Sequence, residues 1–81
     1  MHDETRRKVL ERMVRHHWIG GKHTDIQNLR KGFERSRYAE VEAEINRLVK
    51  EGLIIVKPAF YGTQVSLNPR MLGEVKRSLE L

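Results

Sequence analysis

The chain of 81 residues predicts a single α+β domain, a three-helix core closed at one end by a β-hairpin and followed by a last short helix. Three observations carry this expectation. Tyr38, Val41, Ile45, Leu48 and Val49 recur at three- and four-residue steps, as on one face of a helix, and Gly52 stops the pattern. Leu53 to Lys57 is short and β-branched-rich, and beyond a turn flanked by Pro58 and Gly62 the residues Val65 and Leu67 alternate with Gln64 and Ser66. Asn68-Pro69 then opens a new helix, with asparagine as cap and proline in the first turn.

Taken in order, the first helix is predicted over residues 3–18, with Asp3 or Thr5 as cap. Its buried stripe is Leu10, Met13, Val14, His17 and Trp18, while Arg6, Arg7, Lys8, Arg12 and Arg15 fall mostly on the other faces. Gly20-Gly21 ends it, because glycine tolerates the left-handed conformation of a helix C-terminus. Thr24 followed three residues later by Gln27 is a capping-box pattern and predicts a second helix over 25–31 that buries Ile26 and Leu29. Phe33 plugs the turn that follows, and Ser36 is the expected N-cap of a third helix over 36–51. The hairpin occupies 53–67, and a fourth helix over 69–80 turns Met71, Leu72, Val75 and Leu79 inward.

A chain this short holds one domain and a small core. A hydrophobic share of 38% beside 33% charged residues leaves few side chains for a buried pocket. The formal net charge of +5 and a pI near 10.0 permit binding to a polyanion. Residues 1–38 hold ten basic and five acidic side chains, whereas 39–81 hold six of each, so the excess lies in the N-terminal half. Without cysteine there is no disulfide, zinc thiolate site or thiol catalysis. No apolar run nears the roughly 18 residues of a membrane span, and the charged start MHDETRRKVLERMV is unlike a secretory signal. The expected location is cytoplasmic, with the nucleoid if DNA is the ligand.

The order helix, helix, helix, hairpin, helix resembles the winged helix-turn-helix family over residues 3–68. Ile26 and Leu29 of the second helix, then Val41, Ile45, Leu48 and Gly52-Leu53-Ile54, carry the resemblance. More narrowly, the run GGKHT…NL…KGF…EGLIIVKP…YG…VSLNP is similar to small stand-alone archaeal winged-helix proteins. The resemblance implies a non-enzymatic binder of double-stranded DNA, a transcriptional regulator or small chromatin-associated protein, whose third helix enters the major groove. Some members of the family bind RNA or other proteins instead. Many pair through their terminal helices, which here means a homodimer through the first and fourth helices by way of Leu72, Val75 and Leu79; the same residues could instead close the monomer core.

On that reading the outer face of the third helix presents Ser36, Ala39, Glu40, Ala43, Arg47 and Lys50, with Asn46 to one side. Candidate base contacts are Glu40, Ala43, Asn46 and Arg47: arginine suits guanine, asparagine adenine, and glutamate the cytosine amino group. Candidate phosphate contacts are Lys22, Arg30, Lys31, Arg35, Ser36, Arg37, Lys50 and Lys57, which position the protein without reading sequence. Glu40, Glu42, Glu44 and Glu51 make the helix net acidic, so the grip is expected from the basic residues before it, with modest sequence preference. Phe60 and Tyr61 form the wing tip; one is expected to pack on the core and the other to reach solvent, a groove or a partner. The alternative is a protein-interaction module built on the acidic third helix and the wing aromatics; structured RNA is a third candidate partner.

Other chemistries find little support. His16, His17 and His23 invite a metal, but adjacent histidines on a helix point about 100° apart and no carboxylate pair completes a site, so neither metal nor cofactor is expected. The chain has no phosphate loop, nucleophile elbow or zinc-hydrolase helix, hence no catalysis and no evident small-molecule substrate. The basic amphipathic first helix has a membrane-surface pattern, but its apolar stripe is needed for the core, so no membrane partner is expected.

Overall fold

Helix α1 runs from Asp3 to Arg15 and buries Val9, Leu10 and Met13; the computed structural model describes residues 3–60 and 62–81. It ends before the expected Trp18. His17 takes a left-handed φ of 58°, its N–H donates to the Val14 carbonyl at 3.1 Å, and the Trp18 N–H donates to the Met13 carbonyl at 3.0 Å. These paired bonds are a Schellman cap with histidine in the place usually held by glycine. His17, not Gly20-Gly21, therefore stops the helix, and it is exposed rather than part of the buried stripe. Thr5 is no cap either, since it lies within the helix and is buried.

The second predicted helix shrinks to one 3-10 turn, Ile26–Leu29. Thr24 and Asp25 form a two-residue strand, β1, with Thr24 opposite Val65. That pairing takes Thr24 out of the capping role. Asp25 caps the turn, its carboxylate accepting from the Gln27 N–H at 2.8 Å, while the Thr24 hydroxyl accepts from Asn28 Nδ2 at 2.7 Å. With apolar anchors only at Ile26 and Leu29, a longer helix has nothing further to bury, and short helices depend on such burial. Phe33 is buried as expected.

A 3-10 turn, Arg35–Arg37, leads into helix α2, Tyr38–Lys50. Ser36 sits inside that turn, whose cap position is Glu34, so the expected serine cap does not form. Val41, Ile45 and Leu48 are buried, with Tyr38 and Val49 half-buried beside them. Gly52, at φ 82°, ends the run with a second Schellman cap, its N–H donating to Val49 at 3.0 Å and that of Leu53 to Leu48 at 2.9 Å.

Strands β2 (Ile54–Ala59) and β3 (Gly62–Leu67) form the hairpin, and the three-stranded antiparallel sheet has the order β1-β3-β2. Ile54 pairs with Leu67, Val56 with Val65 and Ala59 with Gly62. The far end of β3 is also gripped on its other edge, where the Leu67 N–H donates to Trp18 at 2.8 Å and the Gly20 N–H donates to Leu67 at 2.9 Å. Ile54, Val65 and Leu67 thereby join Val9, Met13, Val41, Ile45 and Leu48 in one core. Asn68 accepts from the Arg70 N–H at 3.0 Å and caps the turn Pro69–Met71, which continues into helix α3, Leu72–Ser78. Val75 and Leu79 are each 2% exposed and close the monomer core. The result is an α+β domain of three helices and a three-stranded antiparallel sheet. No helix among the described residues is long and apolar enough to cross a membrane.

Candidate functional site

The glutamates of α2 are the first departure from the expected surface. Glu44 is 1% exposed and lies between two guanidinium groups, Arg6 Nε and Arg47 Nη1, each at 2.6 Å. The remaining nitrogens of Arg6 donate to both oxygens of Glu51 at 2.9 and 2.6 Å. Arg37 Nε donates to Glu40 at 3.2 Å and Arg37 Nη2 to the Thr5 hydroxyl at 2.8 Å; that hydroxyl donates to the other Glu40 oxygen at 3.1 Å. Arg30 donates to Glu42 at 2.9 Å. Every glutamate of the expected acidic face is thus paired, each with at least one partner from outside α2. Glu40, expected at a base, is turned toward α1, and Arg47 is held against Glu44.

The protonation equilibria follow the contacts. The hydrogen bonds to Glu51 and then Glu44 raise the Arg6 pKa against the opposing effect of burial, and Arg6 in turn holds the Glu51 carboxyl below the ordinary glutamate range. Glu40 likewise raises the Arg37 pKa. These shifts favour the charged forms of Arg6, Arg37 and Glu51.

The basic side chains of α1 fasten the fold. Arg7 donates to the Ser78 and Leu79 carbonyls at 3.3 and 2.9 Å, at the C-terminal end of α3 where a cation is favoured. Lys8 reaches the Gly32 carbonyl at 3.3 Å with its ammonium 4.8 Å from the centre of the Phe33 ring. Arg12 donates to the Asn28 carbonyl at 3.1 Å. The α1 share of the N-terminal positive charge is therefore largely bound within the molecule, whereas Lys22, Lys31 and Arg35 of the same half stay exposed without an ion pair among the described residues.

What remains outward on α2 and its leading turn is Ser36, Ala39, Ala43, Asn46 and Lys50, with Arg35 at the start. Of the phosphate candidates Lys22, Lys31, Arg35, Lys50 and Lys57 have no ion pair among the described residues, and all five are exposed; Arg70, Lys76 and Arg77 at the other end of the chain are likewise exposed and unpaired. Of the other phosphate candidates, Ser36 is exposed, whereas Arg30 and Arg37 already hold glutamates. Arg30 also lies over the Tyr38 ring, 4.5 Å from its centre, with its Nε buried and without an acceptor.

Beside this face is a cleft of about 280 Å³ lined by Ile26, Gln27, Arg30, Glu42, Ile45 and Asn46. Gln27 belongs to the site although its sequence context reads as a capping box; only the tertiary placement of the 3-10 turn against α2 brings it there. A larger depression of about 470 Å³ lies between α1, α3 and Leu53. Its apolar floor, Leu10 and Val75, is closed, and Arg6 on its rim is engaged by Glu44 and Glu51.

Phe60, at the hairpin tip, is fully exposed, while its neighbour Tyr61 lies outside the described residues. His16 stacks on Trp18, with ring centres 4.5 Å apart and planes 13° from parallel. No three His, Asp or Glu side chains come together as metal ligands among the described residues. Comparison with known proteins returns nothing similar: no family model matches the chain, and no curated protein or solved structure reaches a significant match.

Proposed function

We propose that the chain is a winged helix-turn-helix domain that binds double-stranded DNA without catalysis, as a regulator or chromatin-associated protein of modest sequence preference. Support for the fold reading comes from the order of elements, α1, β1, the 3-10 turn, α2, the β2–β3 hairpin and α3, with the second helix reduced to that single turn. The observation that carries the function is the distribution of ion pairs. Arginines neutralise the glutamates of α2. Of the eight exposed cations whose side chains have no partner among the described residues, three are Arg70, Lys76 and Arg77, and the other five (Lys22, Lys31, Arg35, Lys50 and Lys57) lie on α2 or on the segments before and after it. Between them, the small side chains Ala39 and Ala43 let the backbone of α2 approach a groove closely. Arg35, Ser36, Lys50, Lys31, Lys22 and Lys57 then meet phosphates, and Asn46 meets base edges.

A fluorescence-anisotropy titration of a labelled duplex at two salt concentrations tests this. Binding weakens steeply with salt, and Arg35→Ala and Lys50→Ala each flatten the dependence by about one unit. Absence of binding at low salt removes the proposal. The fully exposed Phe60 favours a second reading, a protein-interaction module that works through the hairpin tip. That reading predicts a partner lost on Phe60→Ser and no affinity for the duplex. Structured RNA added as competitor to the same titration separates the third partner class.

A further inference from the structure

We infer that the cleft between the Ile26–Leu29 turn and α2 reads the major-groove edge of an A·T pair, seating the thymine methyl on Ile26 and pairing the adenine edge with the amide of Asn46 or Gln27. This rests on the duplex-binding reading above. The floor of the cleft is the half-buried Ile26 over the buried Ile45, an apolar surface at the bottom of an otherwise polar rim. The rim carries four planar hydrogen-bonding groups, and their partners decide which base they suit. Arg30 is bound to Glu42 at 2.9 Å and stacked on Tyr38, and Arg47, the other arginine near the face, is bound to Glu44 at 2.6 Å. Neither guanidinium is disposed to make the bidentate contact that selects guanine. Glu42, the carboxylate that could accept from a cytosine amino group, already receives Arg30. The side-chain amides of Gln27 and Asn46 have no partner among the described residues. A side-chain amide offers a donor and an acceptor together, which matches N7 and N6 of adenine. The methyl group at C5 is the one apolar feature of the major groove, thymine carries it and cytosine does not, and the isoleucine floor is the surface that would bury it.

The test compares three short duplexes at one salt concentration: alternating A·T, the same with uracil in place of thymine, and alternating G·C. The wild-type protein prefers A·T, and replacing thymine by uracil weakens binding about fourfold, the worth of one buried methyl contact. Asn46→Ala and Gln27→Ala are exposed substitutions that leave folding intact, and at least one of them removes about tenfold of the preference for A·T over G·C. Salt-dependent binding that is indifferent to uracil and to both substitutions overturns the cleft assignment while leaving the duplex-binding proposal standing. No binding to any of the three at low salt overturns both.

Discussion

Glu44 does the work at the α1–α2 contact that an apolar side chain would do in a simpler helix pair. It is buried, and two guanidinium groups satisfy it, one from each helix. Glu44→Gln keeps the shape but removes the charge from two charge-assisted bonds, and urea denaturation should register a loss of about 2 kcal/mol. An unchanged midpoint would mean that the network contributes nothing. Glu51 sets a second, pH-dependent expectation. Its carboxyl titrates lower in the folded protein because Arg6 holds it, so the unfolded chain binds its proton first as the pH falls. The contribution is complete above the ordinary glutamate range and is lost as the pH drops from there through the lower folded value. Glu51→Gln should therefore narrow the difference in denaturation midpoint between about pH 7 and about pH 3, and an unaltered difference would exclude the Arg6–Glu51 pair as a source of acid sensitivity.

The two helix ends closed by left-handed residues behave oppositely under glycine exchange. At His17 the histidine bears a steric cost that glycine lacks, so His17→Gly should stabilise by roughly 0.5 kcal/mol after the extra flexibility of the unfolded chain is offset. At Gly52 any Cβ meets the same restriction, and Gly52→Ala should cost about 1 kcal/mol. Thermal unfolding of both variants checks the pair, and shifts in the same direction would contradict this account of the caps. Gly52 was legible in the sequence because glycine announces a left-handed site; His17 was not, because its conformation follows from how Trp18 joins β3. The same contrast runs through the rest. Helices α1 and α2, the hairpin and the Asn68 cap carry local periodicity or cap chemistry, and they appear close to where the pattern puts them. Strand β1 is two residues long, too short for any period, and its pairing with Val65 overrides the capping box at Thr24. In the candidate site, exposure of Asn46 and Lys50 follows from helical spacing. The engagement of Glu44 by Arg6 joins positions that no local pattern connects, so an acidic face was read where a paired one exists.

The charge of +5 is a poor guide to the surface until the internal pairs are removed from it. Arg6, Arg7, Lys8 and Arg12 bind their own chain, and the cations that remain unpaired lie beyond α1. The use of Val75 and Leu79 in the core leaves the expected dimer face with the half-buried Leu72 alone of its three apolar anchors. Sedimentation at high concentration should give the 9.6 kDa monomer, and a stable dimer would show that the terminal helices pair by other residues. Phe60→Ser should leave stability unchanged within about 0.5 kcal/mol, as expected for a side chain with no packing to lose; a larger loss would place the ring in the fold. The central claim concerns which face meets the ligand, and a chemical-shift map of the isotope-labelled protein with a short duplex at low salt tests it most directly. The largest changes are predicted at Arg35, Ala39, Ala43, Asn46 and Lys50, with Gln27 beside them, reversing as salt is added. No change at low salt, or changes confined to Arg7, Glu74 and Arg77 between α1 and α3, would contradict it.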